Sequence, residues 1–345
     1  MSVAVAVSGG TDSLVSLYLL KQEGWAPVAI HAFFLPQDQR SEHDCSQLKT
    51  CCQRLGVPLY LVDVADKFYS LVVEPFVQSY VQGLTPNPCA LCNQKIKFDV
   101  LLDKAAELGA NYLATGHYAR FDRDCSGKYR LWRGIDRQKE QSYFLSLVNK
   151  NHLTRVIFPL GQRYKKEVER LFLDCFASFP LKEESQEICF VPKNDYRSFL
   201  ESFGLELPGP GPIEDRQGKR LGEHSGLHRY TIGQRRGLGI PYPYPLYVLE
   251  KRVSENKLIV GSKHELASSH CWVRDMNFIE DWTNWPETVF VQTVYRHQAK
   301  RAMVKRGDYT LQVSYEQPRQ RATPGQVATF YSEQGQVLGG GLIES

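Results

Sequence analysis

The stretch MSVAVAVSGGTDS, residues 1–13, decides the fold of this 345-residue chain. Its apolar run over residues 3–7 is typical of a buried strand, and leucines at near-helical spacing follow over residues 12–22. The two glycines between them let a backbone approach phosphate oxygens closely, and the free N–H groups of a helix start attract anions. The stretch therefore predicts a phosphate-binding loop between the first strand and the first helix.

The loop itself is SGGTDS, residues 8–13. Its serines add hydroxyl donors, and Asp12 is placed to hold Mg²⁺ on a pyrophosphate group. The loop does not follow the Walker pattern, because no Lys comes after its second glycine. It resembles the SGGxDS signature of the PP-loop ATP pyrophosphatases, which split ATP into AMP and pyrophosphate. The alternative is a plain Ser/Gly turn between a strand and a helix.

Outward from this loop, the first half of the chain alternates short apolar runs with helical patterns. We predict strands over residues 3–7, 28–34, 59–62 and 112–115, and helices over 12–22, 41–56, 66–81 and 96–108. A loop with two prolines at residues 85–88 cannot be helical throughout. The alternation is typical of a parallel sheet covered by helices.

The amino-acid composition and periodicity of the chain change near residue 192. Residues 204–245 are rich in Gly and Pro, and from about residue 271 period-two stretches predict a small antiparallel barrel. We therefore predict an α/β chain in three parts. They are an N-terminal parallel-sheet PP-loop (adenine nucleotide α-hydrolase-like) domain over residues 1–192, a small irregular central domain over 193–265, and a C-terminal antiparallel β-barrel over 266–345.

Composition excludes the membrane, secreted and disordered classes. Apolar residues make up 42% and charged residues 23% of the chain, and no apolar run is long enough for a membrane helix. We expect a cytoplasmic protein, whose nine cysteines are reduced thiols, metal ligands or catalytic sulfurs. Basic residues cluster over residues 216–236 and 296–306, which suits a phosphate backbone as well as an ordinary solvated face.

Five further motifs follow the loop in order. They are the Cys89-x-x-Cys92 pair within residues 85–98, ATGHYAR at 114–120, QSYFL at 141–145, SQEICFV at 185–191 and YTIGQRRGLGI at 230–240. Together with the loop they resemble the tRNA-specific 2-thiouridylases. The resemblance implies an enzyme that places sulfur at C2 of the wobble uridine, U34, in the anticodon stem-loop of certain tRNAs.

The resemblance also implies roles for individual residues. It implies an ATP site made by Ala6, Val7, Ser8, Gly9, Gly10, Thr11, Asp12, Ser13, Leu35 and Gly116. It implies that Asn87, Pro88 and Cys89 approach the target base, and that Lys139, Glu140, Gln141, Tyr295 and Arg296 contact tRNA. Cys92 matches the family's nucleophile and Cys189 its persulfide carrier. The central region and the barrel would help to bind tRNA, a sulfur-donor or relay protein would be a partner, and no membrane is involved.

The chemistry fits these roles. The C2 carbonyl of uridine is a poor electrophile, so adenylating its oxygen supplies a leaving group that sulfur then displaces. The attacking sulfur should have a lowered pKa near positive charge, which Lys95 or Lys97 could provide. The target base must also be drawn out of the anticodon loop.

The chain departs from the family at two positions. Most members carry Asp where it has Cys89, and Asp where it has Glu140. Three cysteines (Cys89, Cys92 and Cys189) suit a [4Fe–4S] cluster whose fourth iron could hold hydrosulfide. The alternatives are persulfide chemistry with Cys89 as a spectator or resolving thiol, and a zinc site, for which no fourth ligand stands out.

Two other functions compete with this hypothesis. Another PP-loop enzyme that adenylates a small metabolite would explain residues 8–13 but not the Cys92 and Cys189 pair. A non-catalytic tRNA-binding or sulfur-relay protein would bind tRNA without releasing AMP, and the intact loop argues against it. We interpret His117, Cys125, Cys175 and Cys271 as structural, and the grouping of Cys45, Cys51 and Cys52 has no explanation in the sequence.

Overall fold

The structure is a computed structural model, which describes residues 2–37, 42–123, 127–176, 179, 187–205 and 207–344. The first strands are β1 (Ser2–Ala6), β2 (Ala26–Phe33), β3 (Leu59–Asp63), β4 (Tyr112–Ala114), β5 (Ala119–Arg123), β6 (Tyr129–Arg133) and β7 (Val156–Ile157). Five of them form a parallel sheet in the order β3-β2-β1-β4-β7. The central strand β1 is buried, as its apolar run predicts. This sheet confirms the predicted α/β architecture.

Helices lie between these strands and after the last of them. They are α1 (Thr11–Gln22), α2 (Glu42–Arg54), α3 (Ala65–Phe68), α4 (Glu74–Val81), α5 (Pro88–Cys92), α6 (Leu101–Glu107), α7 (Lys150–Leu153), α8 (Lys165–Phe176) and α9 (Tyr196–Glu201). In α8, Val168, Phe172 and Phe176 recur every four residues and are buried in a core cluster that α1 shares. Helix α8 is therefore fixed against the helix that follows the predicted phosphate loop.

Two helical stretches differ from their predicted form. π-helical segments join α3 to α4 at Tyr69–Val73 and α5 to α6 at Asn93–Val100. The second stretch begins at Pro88, earlier than predicted, because the missing N–H of a proline costs nothing at the first helical position. The predicted start of α2 at Ser41 lies outside the described residues.

The central region holds a small sheet among long loops. Its strands are β8 (Gly211–Glu214), β9 (Arg220–His224), β10 (Tyr247–Arg252) and β11 (Lys257–Gly261), in the order β10-β11-β8-β9. Ile213, Leu249 and Leu258 are among the buried residues of its own core cluster. These strands are only four to six residues long, and glycines and prolines surround them. The alternation of apolar and polar residues is therefore too short to be recognised in the sequence.

The C-terminal strands close into a barrel. They are β12 (Ala267–Phe278), β13 (Thr288–Gln292), β14 (Lys300–Arg306), β15 (Thr310–Gln320), β16 (Val327–Tyr331) and β17 (Gln336–Ile343). They pair in the order β12-β15-β14-β13-β16-β17, and β17 pairs back to β12. All six pairings are antiparallel, which confirms the predicted barrel.

A hairpin from the N-terminal region extends this barrel. Strands β5 and β6 pair with each other, and β6 pairs with β17 through Trp132 opposite Gln336 and Leu131 opposite Val337. The N-terminal region and the barrel thus share one continuous sheet. Among the described residues, no helix is long and apolar enough to cross a membrane.

Candidate active site

The predicted phosphate loop lies at the carboxyl end of β1. Gly9 adopts a φ of 81°, a left-handed conformation that favours glycine, and Gly10 caps α1. The Ser13 hydroxyl donates to the Gly10 carbonyl at 2.9 Å and accepts from the Ser8 N–H at 3.2 Å. The loop is therefore closed by its own serines.

The loop faces a crevice where the strand order reverses. Strand β1 lies between β2 and β4, and the carboxyl ends of these parallel strands meet at one edge, where open α/β sheets bind ligands. Gly116 follows β4, and a Cβ there would lie 3.0 Å from the carbonyl carbon of Asp12. Leu35 follows β2 at the same edge. The buried Thr11 hydroxyl has no hydrogen-bond partner among the described residues.

Asp12 is held by two side chains from elsewhere in the chain. Its carboxylate accepts from the Lys165 ammonium at 2.8 and 3.0 Å and from the Tyr118 hydroxyl at 2.9 Å. Gln141 accepts the Tyr118 N–H at 3.0 Å through its side-chain oxygen. Sequence reasoning missed Lys165, because a lysine at the start of an amphipathic helix carries no signal of its own.

The first two cysteines of the site lie on α5. The Asn87 side chain accepts the Ala90 N–H at 3.1 Å and so caps this helix, whose first residue is the buried Pro88. Cys89 is exposed at the surface, whereas Cys92, three residues later, is only 9% exposed. The two thiols of the pair therefore differ in access.

The third cysteine comes from a distant segment. Phe190 packs edge-on against Phe68 and Phe76 in the core, which fixes the chain next to Cys189. Cys189 itself is exposed. Its thiol interacts electrostatically with Cys92 and Cys89, and the Lys97 ammonium acts on all three. The structure thus places Cys89, Cys92 and Cys189 within electrostatic range of one cation.

Desolvation by the surrounding protein controls the protonation of these thiols. Desolvation raises the pKa of Cys92 to about 12, and it also raises the pKa of Cys89 and of Cys189. Lys97 lowers each of these pKa values but does not offset desolvation. The expectation of a lowered thiol pKa is therefore wrong for this state of the protein, in which the three thiols are protonated at neutral pH.

The positions of the three thiols bear on the iron–sulfur cluster and the zinc site considered above. No three His, Cys, Asp or Glu side chains of the described ranges are arranged to hold a metal ion, and those ranges include Cys89, Cys92 and Cys189. The three thiols share one region, but their arrangement does not fit a cluster or a zinc ion.

His117 is enclosed beside the crevice. Its Nδ1 lies 2.7 Å from the Thr115 hydroxyl, and its ring packs against Phe98 and Phe158. Burial, with a smaller contribution from Lys97, holds its pKa well below the usual value, so the ring is neutral. This environment agrees with a structural role.

The remaining described cysteines lie in other surroundings. Cys51 and Cys52 are buried in the core cluster that includes α1, and burial raises the pKa of each to about 11. Cys271 lies 3.1 Å from the Tyr315 hydroxyl inside the barrel. Cys45 is half-buried, Cys175 is exposed, and Cys125 lies outside the described residues.

Two of the residues expected to contact tRNA, Tyr295 and Arg296, lie beside an aromatic group. Tyr295 packs against Phe144 at 4.4 Å between ring centroids, and Phe144 accepts a hydrogen bond on its carbonyl from Asn93, just after Cys92. The next residue, Arg296, has a left-handed φ of 65° and lies over the Tyr295 ring. This contact brings the barrel's Tyr295 and Arg296 to the cysteine helix.

The other expected contact stretch, residues 139–141, is partly to fully buried. Glu140 is 6% exposed, and its carboxylate accepts from the Ser142 hydroxyl and pairs with Arg133 at 3.7 Å. Gln141 is bonded to Tyr118 at both its backbone and its side chain. These two residues position the stretch, and Lys139 beside them is half-buried.

Comparison with known proteins identifies the family. Residues 1–193, 197–262 and 268–343 match the models described as tRNA methyl transferase HUP domain, tRNA methyl transferase PRC-barrel domain and aminomethyltransferase beta-barrel domain. The tRNA-specific 2-thiouridylase MnmA of Nitratidesulfovibrio vulgaris (strain Miyazaki F) is 46% identical, over 99% of both chains. The protein of the same name from Geobacter metallireducens is 41% identical, over 99% of this chain and 96% of its own.

The chain belongs to the tRNA-specific 2-thiouridylase family. The match spans nearly the whole length of these relatives, so all three regions of the fold belong to it. In this 2-thiouridylase-family chain, the fold places Cys92 and Cys189, the two cysteines that the sequence analysis singled out, within electrostatic range of Lys97.

Proposed function

We propose that the protein thiolates C2 of the wobble uridine U34 in tRNA, using ATP to activate the oxygen and Cys189 and Cys92 to deliver sulfur. The observation that carries the proposal is the convergence of these two cysteines. They are separated by almost 100 residues, yet Cys92 shares a core cluster with Phe190, the neighbour of Cys189, and the two thiols interact electrostatically in a chain of the 2-thiouridylase family.

The first step is adenylation. Residues 6–13, Leu35 and Gly116 would bind ATP at the crevice between β1 and β4, and Mg²⁺ would arrive with the nucleotide and be held by Asp12. The uridine O2 attacks the α-phosphorus, the bond to the β-phosphate oxygen breaks, and pyrophosphate leaves. The closed serine loop and the unpaired Thr11 hydroxyl support a phosphate-binding role for this region.

The second step is sulfur transfer. A persulfide on Cys189, loaded by a donor protein, attacks C2 with its terminal sulfur, and AMP departs with the O2 electron pair. Cys92 as a thiolate then attacks the Cys189 sulfur of the mixed disulfide. This releases 2-thiouridine and leaves a Cys92–Cys189 disulfide, which an external dithiol reduces by two electrons.

The exposure of the two cysteines supports this division of roles. Cys189 is at the surface, where a donor protein can reach its sulfur, while Cys92 is almost buried. Because the Cys92 pKa is raised to about 12, its thiol stays protonated until a substrate changes its surroundings. Cys92 is thereby protected from premature oxidation, since the thiolate is the reactive form.

tRNA would be held by Lys139 and by Arg296, which lies over Tyr295 in the aromatic group formed by Tyr143, Phe144 and Tyr295. Asn87, Pro88 and Cys89 would approach the flipped uridine from α5. The basic residues at 216–236 and 296–306 supply positive charge for the phosphate backbone.

An iron–sulfur cluster on Cys89, Cys92 and Cys189 is the alternative for sulfur delivery. Because the thiols are not arranged to hold a metal, we route no step through a cluster. Iron and acid-labile sulfide in protein purified without oxygen decide between the two. We expect neither iron nor sulfide in stoichiometric amount. About four iron and four sulfide ions per chain, lost in Cys89→Ser, would instead show that a cluster delivers the sulfur.

AMP release tests the function as a whole. Unmodified tRNA should stimulate AMP formation from ATP, and small carboxylic acids and amides should not. Stimulation by a small acid or amide would favour a metabolite-adenylating enzyme. tRNA binding with no AMP release under any condition would favour a non-catalytic tRNA-binding protein.

A further inference from the structure

The phosphate loop lacks the charge that a triphosphate needs. Residues 6–13 contain no Lys or Arg, and their one charged side chain is the carboxylate of Asp12. A nucleotide triphosphate carries several negative charges, which a carboxylate alone repels. Some of the compensating charge must therefore come from another part of the chain.

Lys165 lies where that charge is needed. It is the first residue of α8, it is 8% exposed, and its ammonium touches both carboxylate oxygens of Asp12. Its backbone N–H donates to Asp136 at 2.9 Å, and α8 packs on α1 through Phe176 and Tyr18. The lysine is thus fixed in place relative to the loop.

The pairing with Asp12 explains how a lysine stays charged there. An ammonium removed from water needs an anionic partner, and Asp12 supplies one in the nucleotide-free protein. Asp12 has a second donor of its own, the Tyr118 hydroxyl at 2.9 Å. The Asp12 carboxylate therefore keeps one hydrogen bond when the Lys165 ammonium binds another anion.

We propose that Lys165 is a phosphate-binding residue of the ATP site and that Asp12 pairs with its ammonium until the nucleotide binds. This rests on the ATP site proposed above. When MgATP enters, the ammonium exchanges Asp12 for phosphate oxygens, and the freed carboxylate takes the metal. During adenylation negative charge accumulates on the departing pyrophosphate, and Lys165 stabilises it without forming or breaking a covalent bond.

The proposal is tested by nucleotide binding to the full-length protein without tRNA, with ATP and adenosine as the two probes. Lys165→Met should weaken ATP binding by about ten- to a hundredfold and leave adenosine affinity unchanged, because only ATP presents phosphates. Lys165→Gln, which keeps a donor for Asp12, should show the same loss. Lys165→Arg should retain most of the affinity, and the exposed neighbour Lys166→Met is the matched control.

Three outcomes would overturn it. Equal ATP affinity in Lys165→Met and the unaltered protein would remove Lys165 from the site. An equal loss for ATP and adenosine in both the Met and Gln variants would make Lys165 a packing residue. If the unaltered protein binds ATP no more tightly than adenosine, the proposed ATP site itself is wrong.

Discussion

At the scale of single residues, the charge of one ammonium opposes the effect of desolvation on the pKa of three thiols. Lys97 lowers the pKa of Cys89, Cys92 and Cys189, while desolvation raises each of them by more. Lys95 lies on the same π-helical segment but does not act on these thiols in the described structure. Sequence proximity alone did not distinguish the two lysines.

Replacing Lys97 by Met should make the thiols still less acidic. We expect iodoacetamide to alkylate Cys89 and Cys189 up to about tenfold more slowly at pH 8, since one pKa unit changes the thiolate fraction tenfold. Because these pKa values already lie above the usual range, the unaltered protein's alkylation rate should keep rising beyond pH 9. Peptide-resolved mass spectrometry measures the rates. Equal rates in Lys97→Met and the control Lys95→Met would contradict this electrostatic account.

The persulfide role of Cys189 gives a second prediction. Cys189→Ser should abolish 2-thiouridine formation and leave tRNA affinity and tRNA-stimulated AMP release nearly unchanged, because the oxygen is activated before sulfur arrives. Cys175→Ser, another exposed thiol, is the control and should keep full activity. Thiolation retained in Cys189→Ser would remove it from the sulfur path.

At the scale of elements, the barrel holds the loop that leads to the cysteine helix. The Gln326 side chain donates to the carbonyls of Thr85 and Pro86, each at 3.0 Å. The Thr85 N–H donates to the Pro324 carbonyl at 2.9 Å. The segment just before Asn87 is thus anchored by the turn that precedes β16.

Removing this anchor should misplace α5. We expect Gln326→Ala to lower the rate of thiolation roughly tenfold with unchanged ATP affinity, and to cost about 1–3 kcal/mol of unfolding free energy because two carbonyls lose a donor. Single-turnover thiolation and thermal unfolding measure the two effects. The exposed Gln334→Ala is the control; a Gln326→Ala protein with unaltered turnover would show that the anchor does not serve the site.

Local sequence patterns predicted the elements that bury a simple apolar face. Strand β1 and helix α1 follow from an apolar run and a helical spacing on either side of residues 8–13. The hairpin of β5 and β6 was missed, because its partner β17 lies some 200 residues away. Lys165 was missed for the same reason: its role comes from a contact with Asp12 across 153 residues. Contacts of that range depend on the whole fold, which no local pattern encodes.

At the scale of the whole molecule, one sheet joins the nucleotide region to the barrel. The pairing of β6 with β17 leads directly into residues 134–146, and Arg133 bonds Gln292 of the barrel at 2.9 Å. This junction and the packing of Tyr143 on Tyr295 bring the segment that follows Lys139 next to the Tyr295 stretch. A tRNA bound across the surface of these two stretches would contact both regions at once.

Arg296 tests this surface. Arg296→Ala should weaken tRNA binding and reduce the slope of log affinity against log salt by about one, because one phosphate contact is lost. Arg274→Ala removes a charge that is already paired with Asp275 elsewhere on the barrel, so its effect should be small. Affinities across a salt series measure both. An unchanged slope and affinity for Arg296→Ala would place the tRNA elsewhere.

The central claim is that this chain makes 2-thiouridine through Cys92. The most direct measurement is mass spectrometry of unmodified tRNA after incubation with ATP, a persulfide donor and either the unaltered protein or Cys92→Ser. We predict 2-thiouridine at position 34 with the unaltered protein, one AMP released for each sulfur inserted, and no thiouridine with the variant. Equal 2-thiouridine from both proteins, or none from the unaltered protein while tRNA is bound, would contradict the account.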